Sequence, residues 1–135
     1  MRGLLADINL GRQFHAVVSV WTSPVWRDIW RALDLRVENF RTLKLSRHAP
    51  DTLIWRTCQA EELVLVTGNR NHDGPDSLEA VIRTENQPDS LPVFTVSNAG
   101  RVLTDRDYAE RVAEKLLEYL MRIDEIRGTG RLYVP

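Results

Sequence analysis

Three short apolar runs, separated by segments with helical spacing, constrain the fold more than any other feature of the sequence. They are Gly3–Ala6, Leu63–Thr67 and Val93–Val96, and each has the length of a strand rather than of a helix. A strand without polar alternation is buried on both faces, as in a parallel sheet whose crossover connections are helices. We therefore predict an α/β domain, a three-layer α/β/α sandwich with a mostly parallel central sheet.

The segments between these runs carry helical patterns. Apolar residues recur every three or four positions in residues 10–21, 53–58, 78–82 and 108–123. Ser23 and Pro24 are typical of a helix start, and the helix predicted after them has Trp26 and Trp30 on its apolar stripe. Residues 36–45 alternate weakly and predict one further short strand. Strands and helices therefore alternate along the chain.

The 135-residue length and ordinary globular composition indicate one domain, which we assign to residues 1–126. Residues 127–135 are predicted to be a basic, Gly-containing tail, a flexible linker whose apolar end docks either on the body of the domain or on a partner. No stretch reaches the roughly 18 apolar residues of a membrane span, and the amino terminus lacks a secretory signal, so we expect a cytoplasmic protein without membrane contact. Cys58 is the only cysteine, which excludes an intramolecular disulfide and a thiolate metal cage.

The net charge of −1 conceals an uneven distribution of charge. Residues 1–60 contain nine Lys and Arg against five Asp and Glu, whereas residues 61–135 contain nine against fourteen. Basic side chains that contact phosphates supply nucleic-acid affinity that depends on salt. We expect the basic stretch Arg36–Arg47 and the tail Arg127–Arg131 to dominate any nucleic-acid affinity, with Arg41, Lys44 and Arg47 as the nucleic-acid-binding residues.

Polar side chains follow the predicted strands at the point where each strand ends. Asp7 and Asn9 follow the first run, Thr67 ends the second, and Asn69 comes shortly after it. In open α/β sheets, ligands bind outside the carboxyl ends of the strands. Oxygen ligands at such an edge suit Mg²⁺ or Mn²⁺, and a metal that activates water is suited to phosphodiester hydrolysis. The sequence therefore predicts a Mg²⁺ or Mn²⁺ site at this edge.

Three segments occur in a characteristic order: Ala-Asp-Ile-Asn at residues 6–9, Pro-Asp-Thr-Leu-Ile-Trp at residues 50–55, and Leu-Val-Thr-Gly-Asn-Arg-Asn at residues 65–71. They resemble the motifs of PIN-like domains, a family that includes toxin ribonucleases and a bacterial branch of unknown function. The resemblance covers roughly residues 3–100 in order and spacing. It implies a PIN-like fold and a Mg²⁺- or Mn²⁺-dependent endoribonuclease.

In PIN-like domains, one acidic residue follows the first strand, a second opens or lies on a central helix, and a third follows a Thr at the end of a later strand. By this resemblance the corresponding positions are Asp7, Asp51 and Asn69, which we predict as catalytic residues and metal ligands. Asn71 and Asp73 are predicted as further metal ligands in the same loop.

Two residues are expected to support this site, and other positions depart from the family pattern. Thr67 is predicted to orient the metal ligands by hydrogen bonding, and Asn9 lies close to them in sequence. Ile8 stands where many relatives have Glu, and Asn69 and Asn71 stand where Asp is expected. Because an amide oxygen binds a cation without carrying a charge, these departures predict weakened metal binding.

The leading hypothesis is therefore an RNA nuclease of the PIN-like family, weakened in its metal site. The alternative is a catalytically degraded PIN-like domain that binds a protein, either an antitoxin-like partner in a toxin–antitoxin type of complex or a second copy of the chain. In that case Asp7 is only a polar strand end and Asp51 only a helix cap. We expect a homodimer through Trp26 and Trp30, because two tryptophans one turn apart supply more apolar area than a small core usually absorbs.

Overall fold

A computed structural model of the chain describes residues 1–68, 74 and 77–135. Within these residues, strands and helices alternate as predicted. The strands are β1 (Gly3–Ala6), β2 (Arg36–Glu38), β3 (Leu63–Thr67), β4 (Val93–Val96) and β5 (Arg131–Val134). The α-helices are α1 (Gly11–Trp21), α2 (Arg27–Leu33), α3 (Asp51–Ala60), α4 (Leu78–Glu85), α5 (Ala99–Thr104) and α6 (Arg106–Met121), with 3₁₀ turns at Ile8–Leu10 and Ile123–Glu125.

The five strands form one sheet in the order β2-β1-β3-β4-β5, and every neighbouring pair is parallel. From β1 the chain crosses to β2 on one side and then returns to β3 on the other side of β1. The connection after β1 thus leads to one side of the sheet, whereas the connection after β3 leads to β4 on the other side, and a crevice opens between the ends of β1 and β3. In doubly wound sheets this switch point is where ligands bind.

Each face of the sheet is covered by helices and has its own apolar core. One cluster joins the sheet to α1, α5 and α6, and includes Phe14, Trp21, Val66, Phe94, Val112 and Leu116. The other joins it to α3 and α4, and includes Leu5, Ile54, Trp55, Cys58, Leu65 and Val81. Successive strand residues point to opposite faces, so a strand between two cores must be apolar throughout. The predicted α/β sandwich is confirmed, with a sheet that is parallel in every pair.

The apolar stripe of α2 is less buried than its pattern predicts. Trp21, at the end of α1, is fully buried, and its indole Nε1 donates to the carbonyl oxygen of Ala113 at 2.8 Å. Trp30 stacks on Trp21 with 4.6 Å between ring centroids but is only half-buried, as is Trp26. Ile29 is 38% exposed. The homodimer predicted through α2 stays a prediction.

The apolar end of the predicted tail docks on the body of the domain, which is one of the two outcomes expected for it, and only the flexible-linker part of the prediction is wrong. Residues 131–134 form β5, an edge strand that pairs with β4 over four residues. Gly128 and Gly130 have φ values of 85° and 84°, and a Cβ on Gly128 would lie 2.7 Å from the carbonyl oxygen of Pro88. The glycines therefore shape a tight turn into the strand. These glycines look like part of a linker in the sequence, but the backbone conformation of the turn requires them.

The short strand predicted within residues 36–45 is β2, which ends at Glu38 and is followed by turns. β2 pairs with β1 through Gly3, which faces Arg36. A Cβ on Gly3 would lie 2.1 Å from the carbonyl oxygen of Arg36, a distance that no side chain tolerates. The absence of a side chain at residue 3 therefore allows β2 to lie against β1.

Candidate functional site

Asp7 lies directly after β1, with its carboxylate held between two elements. Oδ1 accepts a hydrogen bond from the backbone N–H of Ile8 at 2.8 Å and caps the 3₁₀ turn. Oδ2 accepts one from the hydroxyl of Thr67 at 2.9 Å. Thr67 is the last residue of β3 and is 1% exposed. The predicted hydrogen bond from Thr67 to a site carboxylate is thus present, and it joins the ends of the two strands at the switch point.

Asp51 reaches the same edge of the sheet from another direction. It is the first residue of α3 and is half-buried. Its Oδ2 accepts a hydrogen bond from the backbone N–H of Leu78, the first residue of α4, at 3.1 Å. The first N–H groups of a helix have no partner within the helix and carry a partial positive charge, so a carboxylate is favourable there. Asp51 therefore caps a helix, as the alternative interpretation of this residue predicts. The helix it caps is α4 and not α3, to which Asp51 belongs.

Both carboxylates line one pocket of about 450 Å³, which we call the switch-point pocket. Its walls also include Asn9, Arg47 and Gly68. The sequence prediction that Asp7 and Asp51 share one edge of the sheet is consistent with this arrangement. Asn69, Asn71 and Asp73 lie outside the described residues.

The donor set at this pocket is small. In the described part of the chain, no group of three or more His, Cys, Asp or Glu side chains is arranged to hold a metal ion. Mg²⁺ is usually held by one or two carboxylates together with several water molecules and substrate phosphates. Two carboxylates match the number and type of protein ligands that such an ion uses, and they do not match a closed Zn²⁺ cage, which needs four protein ligands.

The basic residues predicted to bind nucleic acid divide into two groups. Arg41, Lys44 and Arg47 are exposed in the loop between β2 and α3. Arg47 lines the switch-point pocket and Arg41 lines the pocket beside it. This loop leaves the carboxyl end of β2, so the three cations share an edge with the two carboxylates.

The arginines of the C-terminal segment are placed differently. Arg127 contacts Glu62 and Asp124 at 3.5 and 3.0 Å, and Glu62 precedes β3 at the opposite edge of the sheet. Arg131 is buried, with its side chain 6% exposed, and pairs with Glu79 at 3.0 Å. The cations of this segment therefore neutralise carboxylates of the same chain, and their contribution to nucleic-acid affinity stays a prediction.

A second pocket of about 600 Å³ adjoins the first and was not predicted. We call it the α1/β2 pocket. It shares Asp7, Ile8 and Phe40 with the switch-point pocket, and its other walls include Phe14, His15, Val18, Val37, Glu38, Asn39 and Arg41. A sequence signal for it exists, because Glu38 and Asn39 stand at the carboxyl end of β2, the position that identified the other site residues.

Cys58 lies in the core on the α3 side of the sheet and is 1% exposed. Burial raises the pKa of its thiol to about 12, and the negative charge of Asp7 adds to the increase. The thiol is therefore neutral at physiological pH and is neither a nucleophile nor a metal ligand. The pKa of the thiol nevertheless depends on the negative charge of Asp7.

Comparison with known proteins adds no relative. No family model, curated protein or solved structure matches the chain. Among the described residues, no helix combines the length and the apolar character needed to cross a lipid bilayer.

Proposed function

We propose that the chain is a divalent-metal-dependent nuclease that acts on RNA at the switch-point pocket. The observation that carries this proposal is that Asp7 and Asp51, distant in sequence, line one pocket where the ends of β1 and β3 meet. The resemblance of three sequence segments to PIN-like domains supports the same assignment.

In this proposal Asp7 and Asp51 hold a Mg²⁺ or Mn²⁺ ion, with Asn69 as the third ligand implied by the resemblance. Such an ion lowers the pKa of bound water and neutralises charge on a phosphate undergoing hydrolysis. The Thr67 hydroxyl and the backbone N–H of Ile8 each donate to one oxygen of Asp7, and each oxygen keeps a second lone pair. The guanidinium of Arg47 contacts a phosphate oxygen beside the cleaved bond.

The basic loop between β2 and α3 favours a substrate with many negative charges. Arg41 lines one pocket, Arg47 lines the other, and Lys44 lies in the same loop; all three are exposed, so a single strand of RNA could contact them with its phosphates. Replacing all three with Gln is expected to weaken RNA binding and to flatten its dependence on salt, because fewer counterions are released on binding. Equal salt dependence in the wild type and the triple variant would exclude this loop as the binding surface.

The test of the metal site is the thermal stability of the protein with and without Mn²⁺. At a Mn²⁺ concentration ten times Kd, binding stabilises the folded chain by about 1.4 kcal/mol, a rise in Tm of about 5 °C. Asp7→Asn and Asp51→Asn are expected to abolish this rise and the Mn²⁺-dependent cleavage of single-stranded RNA. Asp89→Asn is the matched control, since Asp89 is exposed and lies before β4 at the other edge of the sheet.

One observation favours the second candidate, a PIN-like domain that has become a protein-binding module. The carboxylates of Asp7 and Asp51 already accept hydrogen bonds from Ile8, Thr67 and Leu78. If these bonds are their whole role, both Asn variants lose stability equally with and without Mn²⁺, by about 1 kcal/mol for a lost cap. That result, together with no RNA cleavage by the wild type, would replace the nuclease with an interaction module for an antitoxin-like partner or a second copy.

A further inference from the structure

We propose that the outer edge of β2 pairs with the same edge of a second copy of the chain, so that the two sheets join into one across a two-fold axis. β2 is the last strand on its side of the sheet, and among the described residues no further strand lies beyond it. The edge is accessible, because Arg36 is exposed and Val37 is 45% exposed. The inference does not depend on the proposed nuclease.

The backbone of β2 presents one residue to such a partner. The N–H of Arg36 donates to the carbonyl oxygen of Arg2 at 3.1 Å, so the backbone groups of Arg36 face β1. Successive residues of a strand direct these groups to alternate sides of the strand. The N–H and C=O of Val37 therefore point away from the sheet. Backbone groups exposed in this way on an edge strand are a template for another strand.

The two charges of β2 lie on one face of the sheet. Glu38 pairs with Leu5, which belongs to the core on the α3 side. Arg36 comes two residues earlier and shares that face, whereas Val37 points to the α1 side. Among the residues that the structure describes, neither Arg36 nor Glu38 takes part in an ion pair.

The order of these charges selects an antiparallel second copy. When the two-fold axis passes beside Val37, Arg36 lies opposite Glu38 of the second copy, and Glu38 lies opposite its Arg36. The two Val37 residues exchange both of their backbone hydrogen bonds, and the charged pairs occupy the flanking positions, where side chains are closer together. Parallel pairing in register would instead place like charges side by side, which is unfavourable.

The opposite face of the strand supplies apolar contact area. Val37 lines the α1/β2 pocket, so the pairing brings the apolar mouths of the two pockets together. A stable interface buries about 1,200 Å² or more, which is more than a three-residue strand provides. The walls beside Val37, which include Phe14 and Val18, contribute the additional area.

The experiment is analytical ultracentrifugation of the full chain over a range of concentrations. Arg36→Glu leaves two acidic residues in β2 and Glu38→Arg leaves two basic ones, so a homodimer of either variant has like charges opposite each other. We expect the wild type to dimerise and each variant to dimerise at least about tenfold more weakly, because two attractive pairs become repulsive. An equimolar mixture of the two variants should restore the dimer, since each acidic residue then faces a basic one.

Two further variants distinguish this edge from other surfaces. Val37→Pro removes the N–H that points outward, and an edge strand tolerates proline there, so this variant should be folded and monomeric. Ile29→Asp, on α2, is the control and should dimerise as the wild type does, whereas it would disrupt a dimer formed through α2.

The outcomes decide the proposal. Loss of the dimer in both charge variants and its recovery in their mixture would support pairing through β2, and the recovery also shows that both variants are folded. A wild type that stays monomeric at high concentration, a mixture that does not dimerise, or a dimer disrupted only by Ile29→Asp would overturn it. None of these results depends on Mn²⁺ binding or on RNA cleavage.

Discussion

The core beside Asp7 can be probed through Cys58, because its buried thiol makes the stability of the protein depend on pH. Its thiol pKa is raised from an ordinary value of 9.0 to about 12 in the folded chain, chiefly by burial and further by the charge of Asp7. Because the folded pKa is raised, the stabilisation is fully present below pH 9 and is lost as pH rises toward 12. The difference of about three between the pKa values corresponds to about 4 kcal/mol over the whole range. At pH 10 the expected loss is about 1.4 kcal/mol, since the unfolded thiol is then mostly ionised and the folded thiol is not.

The assay is urea denaturation of the wild type and Cys58→Ala at pH 8 and pH 10. Other groups titrate in this range, so the informative quantity is the difference in unfolding free energy between the two proteins. Cys58→Ala lowers stability at both pH values through lost packing, but it lacks the thiol. The stability advantage of the wild type should therefore shrink by about 1.4 kcal/mol between pH 8 and pH 10. An advantage that is unchanged at pH 10 would refute the reasoning.

Two further predictions concern buried polar contacts. Thr67→Val keeps the shape of the side chain but removes the hydrogen-bond donor to Asp7 Oδ2. The variant should lose about 1 to 2 kcal/mol of unfolding free energy in urea denaturation and should bind Mn²⁺ more weakly. An unchanged rise in Tm with Mn²⁺ would show that Thr67 does not support the metal site. Arg131→Met removes the buried cation that pairs with Glu79 and should cost about 2 kcal/mol, whereas Arg56→Met, which breaks an exposed pair with Glu85, should cost clearly less. Similar losses in the two Arg variants would show that burial does not set the strength of these pairs.

The central strands are the part of the fold that local sequence predicts best. Leu63–Thr67 is apolar at every position up to its last residue because both of its faces are buried. A wholly apolar run of five residues is too short for a buried helix and therefore indicates a buried strand. The edge strands are harder to predict. β2 has only three residues, and β5 follows a turn whose glycines suggest a linker. Their pairing depends on β1 and β4, which lie far away in sequence.

The site could be predicted where it depends on strand ends and not where it depends on contacts between loops. Asp7 follows a recognisable strand, so its edge of the sheet could be inferred. The bond from Leu78 to Asp51 could not, because it requires the starts of two separate helices to meet. The α1/β2 pocket was missed for a related reason, since its walls come from α1 and from the segment after β2, and no local pattern shows that these two parts of the chain lie side by side.

The close contact between Gly3 and the backbone of Arg36 affects how the residues at the carboxyl end of β2 could be repositioned. Gly3 faces Arg36 at the start of β2, and Glu38 stands at the other end of that strand, about 7 Å away by the rise of two strand residues. A side chain at residue 3 would collide with backbone, so β2 would have to shift as a unit and carry Glu38 and Asn39 with it. Changes in ligand preference could therefore arise from a substitution that touches no ligand, and libraries that vary only the pocket walls would overlook residue 3.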